Sequence, residues 1–371
     1  MEIGQDNKKM KLNYPIKRRK SRAVKIGEVI IGGGFPIAIQ SMTTADTRDV
    51  KATVKQINQL FEAGCDIVRL AVLNHDAANK LPEIRKQVTK PLVADIHFQY
   101  KLALKAIEAG FDKIRINPGN IGAEWKVREV ISAAKDAEVP IRIGVNSGSL
   151  PKDLLDKYGY DNPEAFCEAA LREIAILEDM DFHDIVISVK STNTQTAFWA
   201  YHMLAEKCYY PLHVGITESG TLKTGTVKSS VGIGAILMTG IGDTIRVSLS
   251  ADPVHEVEVA KQILTACNLK QDGIEVIACP TCGRCQIDLI PLAESIEKKT
   301  RHIKAHLKVA VMGCVVNGPG EAAAADIGIA GGDGKGMLIK KGKIVKRVTE
   351  AELETTLLDE IEIMTGENID K

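Results

Sequence analysis

Eight short apolar runs recur along the chain from residue 37. They are IAIQSM (37–42), IVRLAV (67–72), PLVADIH (91–97), KIRINP (113–118), IRIGVN (141–146), IVISVK (185–190), LHVGIT (212–217) and TIRVSLS (244–250). Stretches of helical period separate them; between residues 53 and 64, Val54, Ile57, Leu60 and Phe61 return at the spacing of one helix face. Continuous apolar strands alternating with helices predict a parallel sheet covered on both sides. Eight such units in roughly 230 residues fit a (β/α)8 TIM barrel. A doubly wound open sheet is the alternative, but no G-x-G-x-x-G follows the first run.

Ahead of the barrel, AVKIGEVIIGG (23–33) reads as a hairpin that plugs its N-terminal end. The segment 147–162, with Gly, Pro, Lys and Asp, is expected to be a long loop after the fifth strand, of the kind that often forms a lid. After an eighth helix near 251–267 the pattern changes. IEVIAC (274–279) and LKVAVMGC (307–314) are apolar strands flanking a helix near 288–299. A Gly-rich loop, a hairpin over MLIKKGKIVKRV and a final charged helix from Glu350 follow. The predicted division is a hairpin and barrel over residues 1–268, binding the substrate, and a small α+β domain over 269–371.

Composition narrows the function. Lys plus Arg equals Asp plus Glu at 48 each, so no global field draws the chain to DNA or a membrane surface. Aromatics at 4% argue against base-stacking platforms. The basic run Lys17-Arg18-Arg19-Lys20 is then expected to be a solvated arm rather than a nucleic-acid site. The lysine-rich N-terminus has no apolar signal core, and no run is long enough to span a membrane, so a cytoplasmic protein with reduced thiols is expected. Cys65, Cys167, Cys208 and Cys267 lie in apolar helical stretches and read as core residues.

Residues at the C-terminal ends of barrel strands line the active site, and alternation decides which point together. Asp95 and His97 share one face of their strand, as do Arg115 and Asn117, Arg142 and Asn146, and Arg246, Ser248 and Ser250. Arg69 interrupts the second run, Lys190 ends the sixth, and Glu218 follows the seventh. Five cations (Arg69, Arg115, Arg142, Lys190 and Arg246) therefore converge on one mouth, with Asp95 and Glu218 to compensate two. The remainder predicts a multiply anionic ligand, and Arg forks suit phosphate oxygens. Backbone donors of Asn117-Pro-Gly-Asn-Ile-Gly122 could add to such a site.

The remaining four cysteines lie in Cys279-Pro-Thr-Cys282-Gly-Arg-Cys285 and Gly313-Cys314-Val-Val-Asn-Gly-Pro-Gly-Glu321. Spacing alone suits a four-thiolate zinc site or an iron–sulfur cluster; a redox CxxC would need only the first pair. A tight turn at Gly318-Pro319-Gly320 would return Glu321 toward the metal, and a replaceable carboxylate favours a cluster that meets substrate. The competing reading is a barrel transferase or hydrolase for a phosphorylated or pterin-like substrate, stapled by zinc.

CPTCGR, VAVMGCVVNGPGE, QSMTTADT, ADIHF, KIRINPGNIG, RIGVNSGSL, ISVKS and HVGITESG together resemble the bacterial two-domain family of 4-hydroxy-3-methylbut-2-enyl diphosphate synthases, from about residue 17 to the end. The resemblance implies an oxidoreductase of the non-mevalonate isoprenoid pathway that opens and dehydrates 2-C-methyl-D-erythritol 2,4-cyclodiphosphate. It implies a [4Fe-4S] cluster held by Cys279, Cys282, Cys314 and Glu321, with substrate displacing Glu321. Cys285 is not a ligand in that pattern. Arg69, Arg115, Arg142, Lys190 and Arg246 would hold the diphosphate, helped by Asn117, Asn146 and Ser248. Glu218 is expected to donate a proton and Asp95 to position substrate. A flavodoxin or ferredoxin would bring two electrons, and a homodimer would close one subunit's cluster domain over its partner's barrel.

Overall fold

Isoleucine and valine are the commonest residues of the eight apolar runs, and each run contributes a strand. A computed structural model of the chain describes residues 16–314, 316 and 318–369. Most of the lysine-rich N-terminus, and Val315 and Asn317 of the second cysteine segment, lie outside the described residues. The chain divides into two compact units, Met1–Lys270 and Gln271–Lys371.

The first unit opens with the hairpin β1 (Val24–Ile26) and β2 (Val29–Ile31). Eight parallel strands follow: β3 (Ala38–Met42), β4 (Ile67–Ala71), β5 (Leu92–Asp95), β6 (Lys113–Ile116), β7 (Ile141–Asn146), β8 (Ile185–Lys190), β9 (His213–Val214) and β10 (Thr244–Ile245). They pair in the order β8-β7-β6-β5-β4-β3-β10-β9, and a parallel bridge from Ile187 to Leu212 joins the two ends. This is the predicted TIM barrel. Side-chain caps define several helix starts: Asn162 and Asp252 each precede a proline at the first helical position, and Asn193 accepts from Gln195 and Thr196 N–H.

Hairpin residues Val24, Ile26 and Ile31 cluster with Ala38, Ile67, Val93 and Val186 of the strands. Two residues on from Ala38 and Val186, alternation brings Gln40 and Ser188 to the same inward face. Gln40, Lys113, Ser188, His213 and Thr244 are buried polar residues.

Three expectations change. The segment 147–162 is not all loop: it carries a 3-10 turn at Ser147–Ser149 and a helix at Lys152–Tyr158. The runs 212–217 and 244–250 pair as strands over two residues each, after which single bonds such as Arg246 N–H to Val214 O, 2.9 Å, hold the extended chain. The basic run is solvated only in part: Lys17 and Lys20 are exposed, but its two arginines are not free. Arg18 donates to Phe35 O and Gly242 O, and Arg19 to Cys208 O and Tyr210 O, so both guanidinium groups satisfy backbone carbonyls of the barrel. Gly240 has φ +84°, and a Cβ there would stand 2.1 Å from Lys17 O, so this close approach requires glycine.

The second unit is a five-stranded mixed sheet ordered β11-β12-β13-β14-β15. Its strands are β11 (Ile274–Ala278), β12 (Leu307–Met312), β13 (Ile327–Gly332), β14 (Lys335–Lys340) and β15 (Lys343–Thr349). The first three are parallel and the last two antiparallel. Helices Leu289–Thr300 and Leu353–Thr365 bury Leu289, Ile296, Leu357 and Ile361 against Val309, Val311, Ile327 and Ile329. The expected Gly-rich loop is β13, whose glycines admit neighbours: a Cβ at Gly331 would meet Ile287 at 2.8 Å and Leu353 at 3.0 Å. Among the described residues no helix is long and apolar enough to cross a membrane.

Asp243 ties the N-terminal segment to the barrel. Its buried carboxylate accepts from Ser21 Oγ at 2.8 Å and Leu212 N–H at 2.9 Å and pairs with Arg18 and Arg19 at 3.3 and 3.7 Å. Asp243→Ala leaves those charges without a counterpart and is expected to cost about 3 kcal/mol in urea unfolding. Arg22→Ala, at a half-exposed pair with Asp184, should cost less than about 1 kcal/mol. Equal losses in the two variants would contradict this assignment.

Candidate active site

Inward positions along β4 to β8, from Arg142 near the start of β7 to Lys190 at the end of β8, and of the chain after β10, carry Arg69, Asp95, Arg115, Arg142, Lys190 and Arg246. All are buried except Arg246, which is half-buried. Asp95 is their shared counter-charge, 3.2 Å from Arg115 Nη1 and 3.7 Å from Arg69 Nε. Burial alone would raise its pKa, but Arg69, the His97 hydrogen bond and Arg115 outweigh it and hold the carboxyl well below the usual range. Asp95 is therefore an anion with fixed partners.

Glycines make room for these long side chains. A Cβ at Gly144 would stand 2.7 Å from Arg115 Nε, and one at Gly215 would stand 2.8 Å from Lys190 Nζ. Arg115 Nη2 and Asn117 Nδ2 both donate to Gly144 O, at 3.3 and 3.5 Å. Lys190 Nζ lies 3.3 Å from His213 Nε2. Arg69 directs Nε and Nη2 to the Met42 sulfur at 3.1 and 2.8 Å, a weak acceptor for a charged donor.

The cations are not satisfied by the protein. At the mouth, four buried guanidinium donors find no hydrogen-bond partner among the described residues: Arg115 Nε, Arg142 Nε and Nη1, and Arg246 Nε. Burial, followed by Arg142, Arg246 and Arg69, pushes the Lys190 ammonium well below its ordinary 10.5. Burial and neighbouring cations likewise lower Arg142, and burial lowers Arg69 to about 10. Guanidinium groups keep their proton, so Lys190 is the mouth cation whose charge can change. Burial, then Lys190, pushes His213 well below 6.5, so its imidazole is neutral at pH 7.

Glu218 is exposed and does not compensate the buried cluster, contrary to the charge count made from sequence. It has φ +50° and, with His97, Arg115, Asn146 and Ser149, lines a cleft of about 280 Å³. The bend that ends β9 carries it out of the barrel interior. The buried counter-charge that sequence reasoning missed is Glu256, in the first turn of Pro253–Ala266. It accepts from Ser41 Oγ at 2.9 Å and Leu249 N–H at 3.0 Å and lies 3.5 Å from Arg246 Nη2. Ser248 is half-buried between Arg246 and Leu249. Asn146 caps the 3-10 turn Ser147–Ser149. Five cations against Asp95 and Glu256 leave three unmatched positive charges, which suits a multiply charged anion.

The cysteine segments lie at the ends of adjacent parallel strands, where Ala278 of β11 is in register with Val311 of β12. Gly313 N–H donates to Cys279 Sγ at 3.4 Å, and Gln286 N–H donates to Gly313 O at 2.9 Å. A Cβ at Gly313 would stand 2.3 Å from Cys285 Sγ and 3.6 Å from Cys279 Sγ, so the absence of a side chain there makes the cradle. Among the described residues, however, no three His, Cys, Asp or Glu side chains converge closely enough to hold a metal ion. Cys282 is exposed, and hydrogen bonds from the Arg284 backbone and then its side chain lower its thiol pKa. Glu321 is exposed in a short helix, Gly318–Ala322, where a tight turn was expected. The donor chemistry, thiols from segments that follow two neighbouring parallel strands, suits an iron–sulfur group, while the two thiols nearest Gly313 are those of Cys279 and Cys285. Cys65, Cys167, Cys208 and Cys267 are buried; burial raises Cys65 to about 12, as suits inert core thiols.

The lowered Lys190 value fixes the sign of a pH effect. Between that value and 10.5 the unfolded chain holds a proton that the folded chain has lost, so stability without an anion rises as pH climbs through this window. An anion beside Lys190 restores its ammonium. Binding of inorganic diphosphate in the window between the lowered value and 10.5 is therefore expected to take up more protons, or release fewer, in wild type than in Lys190→Gln, measured by calorimetry in buffers of different ionisation enthalpy. Equal proton counts in the two proteins would contradict the placement.

Comparison with known proteins supplies the family. The GcpE TIM-barrel domain matches residues 21–261, and the GcpE protein C-terminal domain matches residues 275–363. The 4-hydroxy-3-methylbut-2-en-1-yl diphosphate synthase (flavodoxin) of Caldanaerobacter subterraneus subsp. tengcongensis is 59% identical over 353 residues, spanning 95% of this chain and 99% of that protein. Its namesake from Bacillus subtilis is 55% identical over 362 residues, spanning 98% and 96%. Among solved structures, dihydropteroate synthase from Stenotrophomonas maltophilia is 15% identical, with a TM-score of 0.50 over 67% of this chain and 97% of that one. That likeness is one of barrel fold alone. With both domains matched and more than half of the residues shared along nearly the whole length, the chain belongs to the GcpE family of 4-hydroxy-3-methylbut-2-en-1-yl diphosphate synthases and is an oxidoreductase of isoprenoid biosynthesis.

Proposed function

We propose that this chain carries out the reductive ring opening and dehydration of 2-C-methyl-D-erythritol 2,4-cyclodiphosphate to (E)-4-hydroxy-3-methylbut-2-enyl diphosphate. The observation that carries the substrate class is the set of four partnerless guanidinium donors on Arg115, Arg142 and Arg246, in a mouth with three unmatched positive charges. A diphosphate supplies both the acceptors and the charge.

In this reading Arg69, Arg115, Arg142, Lys190 and Arg246 bind the diphosphate oxygens. Arg69 exchanges the Met42 sulfur for a stronger acceptor, and Lys190 is held as ammonium once the anion is beside it. Asn117, Asn146 and Ser248 add neutral donors along the same strand ends. Asp95, anionic and fixed by Arg69 and Arg115, orients those two guanidinium groups and so positions the substrate. Glu218, at the open side of the cleft with His97, is placed to give a proton to the departing oxygen.

Cys279, Cys282, Cys314 and Glu321 would hold a [4Fe-4S] cluster. Such a cluster supplies two electrons, one at a time, to the bound substrate. Glu321, on an exposed helical turn, would be the ligand able to give way to substrate. A flavodoxin or ferredoxin donor, a cytoplasmic location and a homodimer complete the proposal; the relatives' own name specifies flavodoxin.

Protein purified without air is expected to contain about four iron per chain, as a [4Fe-4S] cluster requires, and to be brown. Cys314→Ser should lose the iron and Cys285→Ser retain it. With a chemical reductant and the cyclodiphosphate, wild type should turn over and Glu321→Ala should fall by about tenfold or more, the usual scale for disturbing a metal's ligand environment. One zinc per chain in a colourless solution would overturn the redox reading in favour of a zinc-stapled barrel. Loss of iron from Cys285→Ser would overturn the ligand assignment.

A further inference from the structure

Glu256 is 4% exposed, and its hydrogen bonds reach two separate parts of the barrel. Oε2 accepts from Ser41 Oγ on β3. Oε1 accepts from Leu249 N–H, one residue beyond Ser248, and lies 3.5 Å from Arg246 Nη2. The helix start that carries Glu256 is fixed by Asp252, which accepts from Val254 N–H, and by Pro253 at the first helical position.

A guanidinium is planar, so an acceptor at one terminal nitrogen also sets where the other donors point. At Arg246 the other buried donor is Nε, which has no partner among the described residues. Glu256 also adds a smaller favourable electrostatic contribution at Arg69 and Lys190. Its removal would therefore have two opposing effects on an anion. Net attraction to the mouth would increase, while the orientation of Arg246 and of the Ser248–Leu249 backbone would be lost.

We propose that Glu256 is a positioning residue for the substrate's diphosphate: it orients Arg246 so that Nε meets a phosphoryl oxygen, and it fixes the backbone that presents Ser248. The proposal rests on the diphosphate reading above. Orientation outweighs net attraction here because a misdirected fork loses its charge-assisted bonds, whereas the added attraction is shared among several cations.

The test compares wild type with Glu256→Gln as cluster-loaded protein, by calorimetric binding of inorganic diphosphate and by KM and kcat for the cyclodiphosphate. Glu256→Gln is expected to weaken diphosphate binding by about tenfold and raise KM by a similar factor, with kcat within about twofold, the pattern of lost ground-state binding. Unchanged or tighter binding overturns the proposal, as does a fall in kcat with KM unchanged, since a purely structural role lowers only the fraction of active enzyme. Should Glu256→Gln not fold, Glu256→Asp keeps the charge but shortens the reach. It is then expected to weaken binding in the same way, and wild-type affinity in that variant overturns the proposal. Wild type that binds no diphosphate at all instead removes the substrate reading, and this inference with it.

Discussion

Buried guanidinium groups need acceptors, and at this barrel mouth the protein supplies too few. Desolvating several like charges at 3–4 Å from only two carboxylates is unfavourable unless something anionic joins them. Much of the barrel's interior follows from accommodating that arrangement. An apolar plug from β1 and β2 packs on Ala38, Ile67, Val93 and Val186, and buried polar residues, Lys113 and the charged side chains take up other inward positions. Gly144 and Gly215 give up side chains so that Arg115 and Lys190 can lie across the strands. Asp95 and Glu256 then fix the directions of Arg69, Arg115 and Arg246 rather than neutralise the whole set.

That logic explains which parts were legible in the sequence. Strand alternation is strictly local, so the inward register of Asp95, Arg115, Arg142 and Arg246 could be read from parity alone. The burial of the cations followed from their place inside apolar runs. Glu256 could not be found this way. It sits on a helix whose remaining pattern is amphipathic, and its partners Arg246 and Ser41 are separated from it by 10 and 215 residues. Glu218 was placed at the mouth but given the wrong electrostatic role, because the bend after β9 turns it outward at positive φ. Arg18 and Arg19 looked solvated because backbone carbonyls, which leave no trace in composition, are their acceptors.

In the second domain, glycine misled in one place and informed in another. IGIAGG read as a loop because glycine disfavours strands, yet β13 uses those positions to admit Ile287 and Leu353. Gly313, by contrast, marks the point where two thiols approach a backbone. Cysteine spacing identified the strand ends that carry the donors. It did not determine their side-chain directions, and Cys282 takes hydrogen bonds from Arg284. Family membership, established across both domains, gives these donors a redox context that spacing alone left open to zinc.

The central claim is that the unpartnered guanidinium donors exist to hold a diphosphate. A crystal structure of the protein with inorganic diphosphate bound tests it most directly. The account predicts phosphoryl oxygens within hydrogen-bond distance of Arg142 Nε and Nη1, Arg115 Nε and Arg246 Nε. Diphosphate bound elsewhere, with those four donors still lacking an anionic partner, would contradict it.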